Sequence, residues 1–213
     1  MRVKVRLMIQ KLFLEHPAAY IFAFFAFAAG CVSGAYYYKF IGSAKVPYFA
    51  SCLDGYIRYI ADGNADRWGI FLNSFYKNMQ TFAIIMICGM HPALFFLSPI
   101  VISGRGFVLG FTISVLICVM GWQGVPVLLF GIIPQYIILI PLLLYSWVLC
   151  YSRISERMKG ARRARRFMPD SNDKQYFAKF FFIALVAVVI AGYLALIMPS
   201  IMNGLYGFLK SYI

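Results

Sequence analysis

Between Val125 and Cys150 the chain reads VPVLLFGIIPQYIILIPLLLYSWVLC, twenty-six residues without a charged side chain. A helix in contact with water needs a polar face, and this stretch is apolar all round. At 1.5 Å of rise per residue it reaches about 39 Å, more than the roughly 30 Å of a bilayer's hydrocarbon core. The stretch therefore reads as a membrane span, interrupted by Pro126, Pro134 and Pro141. A proline removes one amide donor and frees a carbonyl, and in hydrocarbon that carbonyl must find a partner inside the protein. Gln135 follows Pro134 directly and is the sharpest polar feature of the stretch. Its structural role is to supply the missing hydrogen bonds; the alternative is that it lines a groove.

Working outward, the same apolar signature recurs. A first span covers 18–38 and closes on Tyr36, Tyr37 and Tyr38, an interfacial aromatic belt. A second covers 78–102, with His91-Pro92 inside it and His91 read as a packing histidine. Ser103-Gly104-Arg105-Gly106 reads as a tight turn, 107–122 as a short third span, and Gly121-Trp122-Gln123-Gly124 as the next turn. After the fourth span, 125–150, comes a basic loop, 151–175, and then a fifth span, 177–198. The segment 39–77 is polar, but Leu53, Tyr56, Ile57 and Ile60, and again Trp68, Phe71, Leu72 and Phe75, repeat at helical spacing. Short amphipathic helices on the membrane surface are expected there. The fold class is an all-α integral membrane protein of about five transmembrane helices, with all 213 residues in a single membrane domain.

Composition agrees, with 62% hydrophobic and only 13% charged residues, where a soluble domain carries about 25% charged. The net charge of +13 does not indicate nucleic acid, because the basic residues flank spans and meet anionic membrane lipids instead. Counting Lys and Arg by side gives fourteen for residues 1–17, Arg105 and 151–179, against six for Lys39, Lys45, Arg58, Arg67, Lys77 and Lys210. The richer side is expected to be cytoplasmic, placing the N-terminus inside and the C-terminus outside. The apolar run from Ala18 is longer than a signal-peptide core and lacks a small-residue cleavage site. The five cysteines imply no disulfide framework, since Cys31, Cys88, Cys118 and Cys150 lie in spans.

All seven acidic residues, Glu15, Asp54, Asp62, Asp66, Glu156, Asp170 and Asp173, fall outside the spans. Proton relays and coupled pumps place ionisable residues within the membrane, so this distribution argues against both. No catalytic, metal-ligating or cofactor-binding constellation stands in the sequence. Gly30-Cys31-Val32-Ser33-Gly34 lacks the spacing of a nucleophile turn. Ala26, Gly30 and Gly34 form instead a small-residue face, as do Gly106, Gly110 and Ser114, and Ala187, Ala191 and Ala195. Such faces let helix backbones approach closely. Internal packing is the first reading and a homodimer contact the alternative.

The order and spacing of Ser74-Phe75, Asn78, Gly104, Gly110-Phe111-Thr112, Gly121-Trp122, Gly124, Pro134-Gln135 and Ile140-Pro141 resemble the stage II sporulation protein M family. The resemblance covers nearly the whole chain, less closely in 39–73 and in the basic loop. It implies a membrane component of the complex that remodels peptidoglycan during forespore engulfment, at the septal membrane of an endospore-forming bacterium. The implied partners are a lytic transglycosylase and an amidase, which the family member localises as a scaffold without acting as an enzyme. Partners working on the wall lie outside the membrane, so Trp68 and Phe71 in the outer segment are the candidate partner contact. The alternative function is a small permease or channel-like component, with the broken fourth span lining the path.

Overall fold

In the structure, a computed structural model, residues 17–41, 48, 49, 51, 52, 55, 66–163 and 172–210 are described. Helices are the regular structure throughout, and no strand occurs among the described residues. Helix α1 is Pro17–Ile41. Helix α2, Arg67–Cys88, starts on Asp66, whose carboxylate accepts from the Trp68 amide at 3.1 Å, a side-chain N-cap. A 3-10 turn, Pro92–Leu97, leads into α3, Ser98–Met120. After a second 3-10 turn, Gly121–Gln123, come α4, Gly124–Val127, a π-helical turn, Leu128–Ile132, and α5, Ile133–Arg163. Helix α6, Asn172–Lys210, completes the set.

This arrangement corrects the expected boundaries. The span expected over 78–102 is not one helix, and the turn expected at Ser103–Gly106 is helical, inside α3. The break falls at Gly89–His91 instead. His91 takes an extended conformation, φ −127° and ψ 128°, because the ring of Pro92 disfavours the helical region for its predecessor. It is exposed there rather than packed. The glycines at 104 and 106 stay helical because hydrocarbon offers the backbone no hydrogen-bonding alternative. The third span is accordingly longer than 107–122. Trp68–Phe75, expected as a separate surface helix, forms the opening turns of α2, whereas Leu53–Ile60 lie outside the described residues, except Gly55. The basic loop shrinks, since α5 continues to Arg163 and α6 begins at Asn172. Past the expected end of the fifth span, α6 runs on through Pro199.

Four stretches are long and apolar enough to cross a bilayer: Pro17–Phe40, Pro92–Met120, Gly124–Glu156 and Tyr176–Ile197. Packing shows what α2 does between the first two. Gly30 lies against Ser103 and Gly34 against Phe107, while Gly106 meets Phe27 and Gly110 meets Cys31. Both chains advance four residues together in each pair, so α1 and α3 are parallel. Parallel neighbours need a return between them. Helix α2 supplies it, at about 33 Å for its 22 residues. Its C-terminal end, Met86–Gly89, sits with Cys150 and Tyr176, which flank the basic segment. At that same end Phe22 of α1 stacks on Trp147 at 5.5 Å, and Phe95 before α3 packs tilted against it at 5.7 Å. Helix α2 carries polar residues on both faces: Asn73, Lys77 and Gln80 are exposed, while Asn78 and Thr81 are buried inward with Phe82, Ile85 and Cys88.

The core runs the length of this bundle, from Ala23 and Phe27 through Ile85, Ile102, Leu143 and Val148 to Ile183, Ala187, Ile190 and Ala191.

Candidate functional site

The α1–α3 seam brings two helix backbones into close contact. A Cβ placed on Gly30, Gly34, Gly106 or Gly110 would overlap the main-chain carbonyl of Ser103, Phe107, Phe27 or Cys31 respectively. These four glycines therefore face each other within one chain, and the same contact is unavailable to a second copy. Ser103 Oγ ties the seam by donating to the Ala26 carbonyl at 2.7 Å. Aromatic rings close its far end, where Tyr37 lies 5.5 Å from Phe107. Ala187 and Ala191 are fully buried on α6.

Beside this seam the structure places a cation on a helix where a tight turn is expected from sequence. Arg105 is on α3, and its Nε donates to Thr81 Oγ1 of α2 at 2.7 Å. Its Nη2 reaches both Thr81 Oγ1 and the Lys77 carbonyl. Thr81 itself donates to that carbonyl at 3.1 Å. Lys77 is the eleventh of the 22 residues of α2, so both cations stand about halfway across the bundle. Its side chain is exposed, as are those of Asn73 and Gln80 on the same helix face. Neither Lys77 nor Arg105 forms an ion pair among the described residues, and no acidic residue lies within 67–88, 98–120, 124–153 or 176–197. A lysine at the centre of a membrane helix costs about 2.5–3.5 kcal/mol to insert. Next to Lys77, Asn78 is 2% exposed and its Nδ2 has no hydrogen-bond partner among the described residues. By position in the sequence Arg105 and Lys77 flank expected spans, whereas in the structure both lie inside helices of the bundle. The four-residue spacing of Gly106, Gly110 and Ser114 starts a helix directly after Arg105 but does not reach back through it.

The broken span resolves differently from expectation. The π turn at Leu128–Ile132, closed by the Ile133 amide on the Leu128 carbonyl, precedes Pro134. Pro134 would meet the carbonyl four residues earlier, that of Phe130. That carbonyl accepts from Tyr193 Oη of α6 at 3.1 Å, so a neighbouring helix supplies the donor. Gln135 is half-buried and makes no hydrogen bond with the described residues. Pro141 faces outward. Gly121 has φ +57°, a conformation that side chains oppose, and beside it Trp122 projects from the turn, 90% exposed.

At the opposite end from the basic segment, Trp68, Phe71 and Phe75 stack in a row, with centroids 5.4 and 6.2 Å apart. Trp68 is 67% exposed. At the basic end, Arg153 lies over the Tyr176 ring at 4.0 Å, and Tyr176 Oη donates to the Met86 carbonyl at 2.9 Å. Among the described residues no group of three or more His, Cys, Asp or Glu is placed to hold a metal ion.

The family model of stage II sporulation protein M matches residues 21–195, from α1 to α6. The chain belongs to the stage II sporulation protein M family. No curated protein and no solved structure matches it. Membership and the four long apolar helices together make it a sporulation-family membrane protein. Of the residues that carry the family resemblance, Asn78 is in the core, Gly110 in the seam, Gly121 and Trp122 at the α3–α4 turn, and Pro134, Gln135 and Pro141 along the broken span.

Proposed function

We propose that this protein is a non-catalytic membrane scaffold that localises peptidoglycan-degrading enzymes, a lytic transglycosylase and an amidase, at the septal membrane during forespore engulfment. The observation that carries the reading is the family match over residues 21–195. The use of the small residues supports it: the glycines of α1 and α3 are occupied in holding the two helices together. Moving Arg105 and Lys77 into the bundle changes the flanking Lys and Arg count from fourteen against six to thirteen against five. The asymmetry persists, so the basic segment and N-terminus are cytoplasmic and the Trp68 end is outside.

In that orientation the Trp68–Phe71–Phe75 stack meets the partners. Replacing Trp68 and Phe71 by Ser should reduce co-purification of both hydrolases from sporulating cells while the protein stays at normal membrane abundance. Unchanged recovery of the hydrolases removes the stack from the interface, and their absence from wild-type pulldowns removes the scaffold reading. A small permease is the second reading, favoured by the outward polar residues Asn73, Lys77 and Gln80 of α2. It requires a solute flux that the hydrolases do not influence.

A further inference from the structure

Helix α2 crosses the bundle with one face turned away from it. Along that face Asn73, Lys77, Gln80, Ile84 and Ile87 are exposed. They are separated by four, three, four and three residues, the spacing of a seam that runs along a second helix. The first three are polar and the last two apolar. Ionisable side chains within membrane spans are rare and almost always face a partner or a wet cavity. Lys77 marks the middle of the seam, and behind it Arg105 is held to the Lys77 carbonyl and Thr81. Two cations therefore stand about halfway along the bundle, and the one carboxylate in the long apolar stretches, Glu156, lies at the basic end of Gly124–Glu156 and away from them in depth.

We propose that this face of α2 docks the transmembrane helix of a different protein, one that carries an Asp or Glu midway along its span. The carboxylate would pair with Lys77, with Arg105 reinforcing the local positive field. Asn73 and Gln80 would hydrogen-bond across one turn to either side. A second copy of this chain does not fit: a symmetric contact through the seam would set Lys77 against Lys77 and bring no acid. The partner's membership in the hydrolase assembly rests on the scaffold reading, whereas the docking face itself does not.

The test uses the full-length protein in sporulating cells, with a photo-crosslinking residue at position 80 and a control at Val189, exposed on α6. Crosslinked peptides are identified by mass spectrometry. The expected result is an adduct at position 80, absent at 189, to a single hydrophobic segment containing Asp or Glu. Lys77→Leu makes α2 more apolar and so accumulates normally, but should lower that adduct at least tenfold, while Lys77→Arg retains it. Reversing the partner's acid to Lys should restore capture by Lys77→Glu. An adduct to a second copy of this chain, no adduct at 80, or undiminished capture by Lys77→Leu each overturns the proposal. So does labelling of Gln80→Cys in assembled complexes by a membrane-impermeant thiol reagent, which marks a water-lined face. Hydrolases that co-purify without an adduct at 80 leave the scaffold standing and remove the docking face. An acid-bearing adduct in a complex lacking both hydrolases does the reverse.

Discussion

Gly106→Ala adds a single methyl group at a point where α3 has no space for it. The new Cβ would overlap the Phe27 carbonyl of α1, which is main chain and cannot rotate aside. Helix α1 must then move away by roughly 1 Å, and a gap of that size forfeits a quarter to a half of the dispersion energy at each contact it opens. The Ser103 Oγ bond to the Ala26 carbonyl, at 2.7 Å, lengthens with it. Overpacking of this kind costs about 1–3 kcal/mol. Gly104 provides the control two residues away: a Cβ there meets nothing within 4 Å. Gly104→Ala should be neutral or stabilising by about 0.4–1 kcal/mol, because it reduces the freedom of the unfolded chain. The combination Gly30→Ala with Gly106→Ala should cost less than the sum of the two, since one displacement of α1 accommodates both methyl groups. Stability is read as the midpoint of unfolding of the detergent-purified protein, followed by circular dichroism and tryptophan fluorescence. If Gly106→Ala and Gly104→Ala unfold together, or the double variant is fully additive, the close parallel seam is refuted.

Two further expectations concern the broken span and the sidedness of the membrane. Tyr193→Phe removes the donor to the Phe130 carbonyl and should destabilise by about 0.5–1.5 kcal/mol, while Gln135→Leu should stay within about 0.5 kcal/mol of wild type. The reverse order in the same unfolding assay would make Gln135 the partner of the freed carbonyl. A topology reporter fused after Ile213 should read as external, and one inserted among Arg162–Arg166 as cytoplasmic. Equal readings at both sites would remove the crossing by α6.

Membrane residence and an all-helical fold were legible in Val125–Cys150 alone, because hydrocarbon compels a long uncharged run to satisfy its backbone within a helix. The small-residue faces were legible too, from the spacing of Gly30 and Gly34 and of Gly106 and Gly110, but not which face meets which. Gly104-Arg105-Gly106 misleads when read locally: the same residues make turns in water and close helix contacts in a bilayer, and only the neighbouring α1 decides between them. Once that stretch is helical, the break moves to His91-Pro92 and Arg105 moves from a cytoplasmic flank to mid-depth. Gln135 shows the same limit, since a donor from Tyr193, fifty-eight positions later in the chain, meets the carbonyl that Pro134 frees. Composition and periodicity thus determined the medium, the element type and the candidate packing residues, which depend on each residue's own chemistry. The parallel pairing of α1 with α3, the return of the chain through α2 and the outward polar seam on that helix depend on contacts between distant segments. Only the tertiary structure decided them.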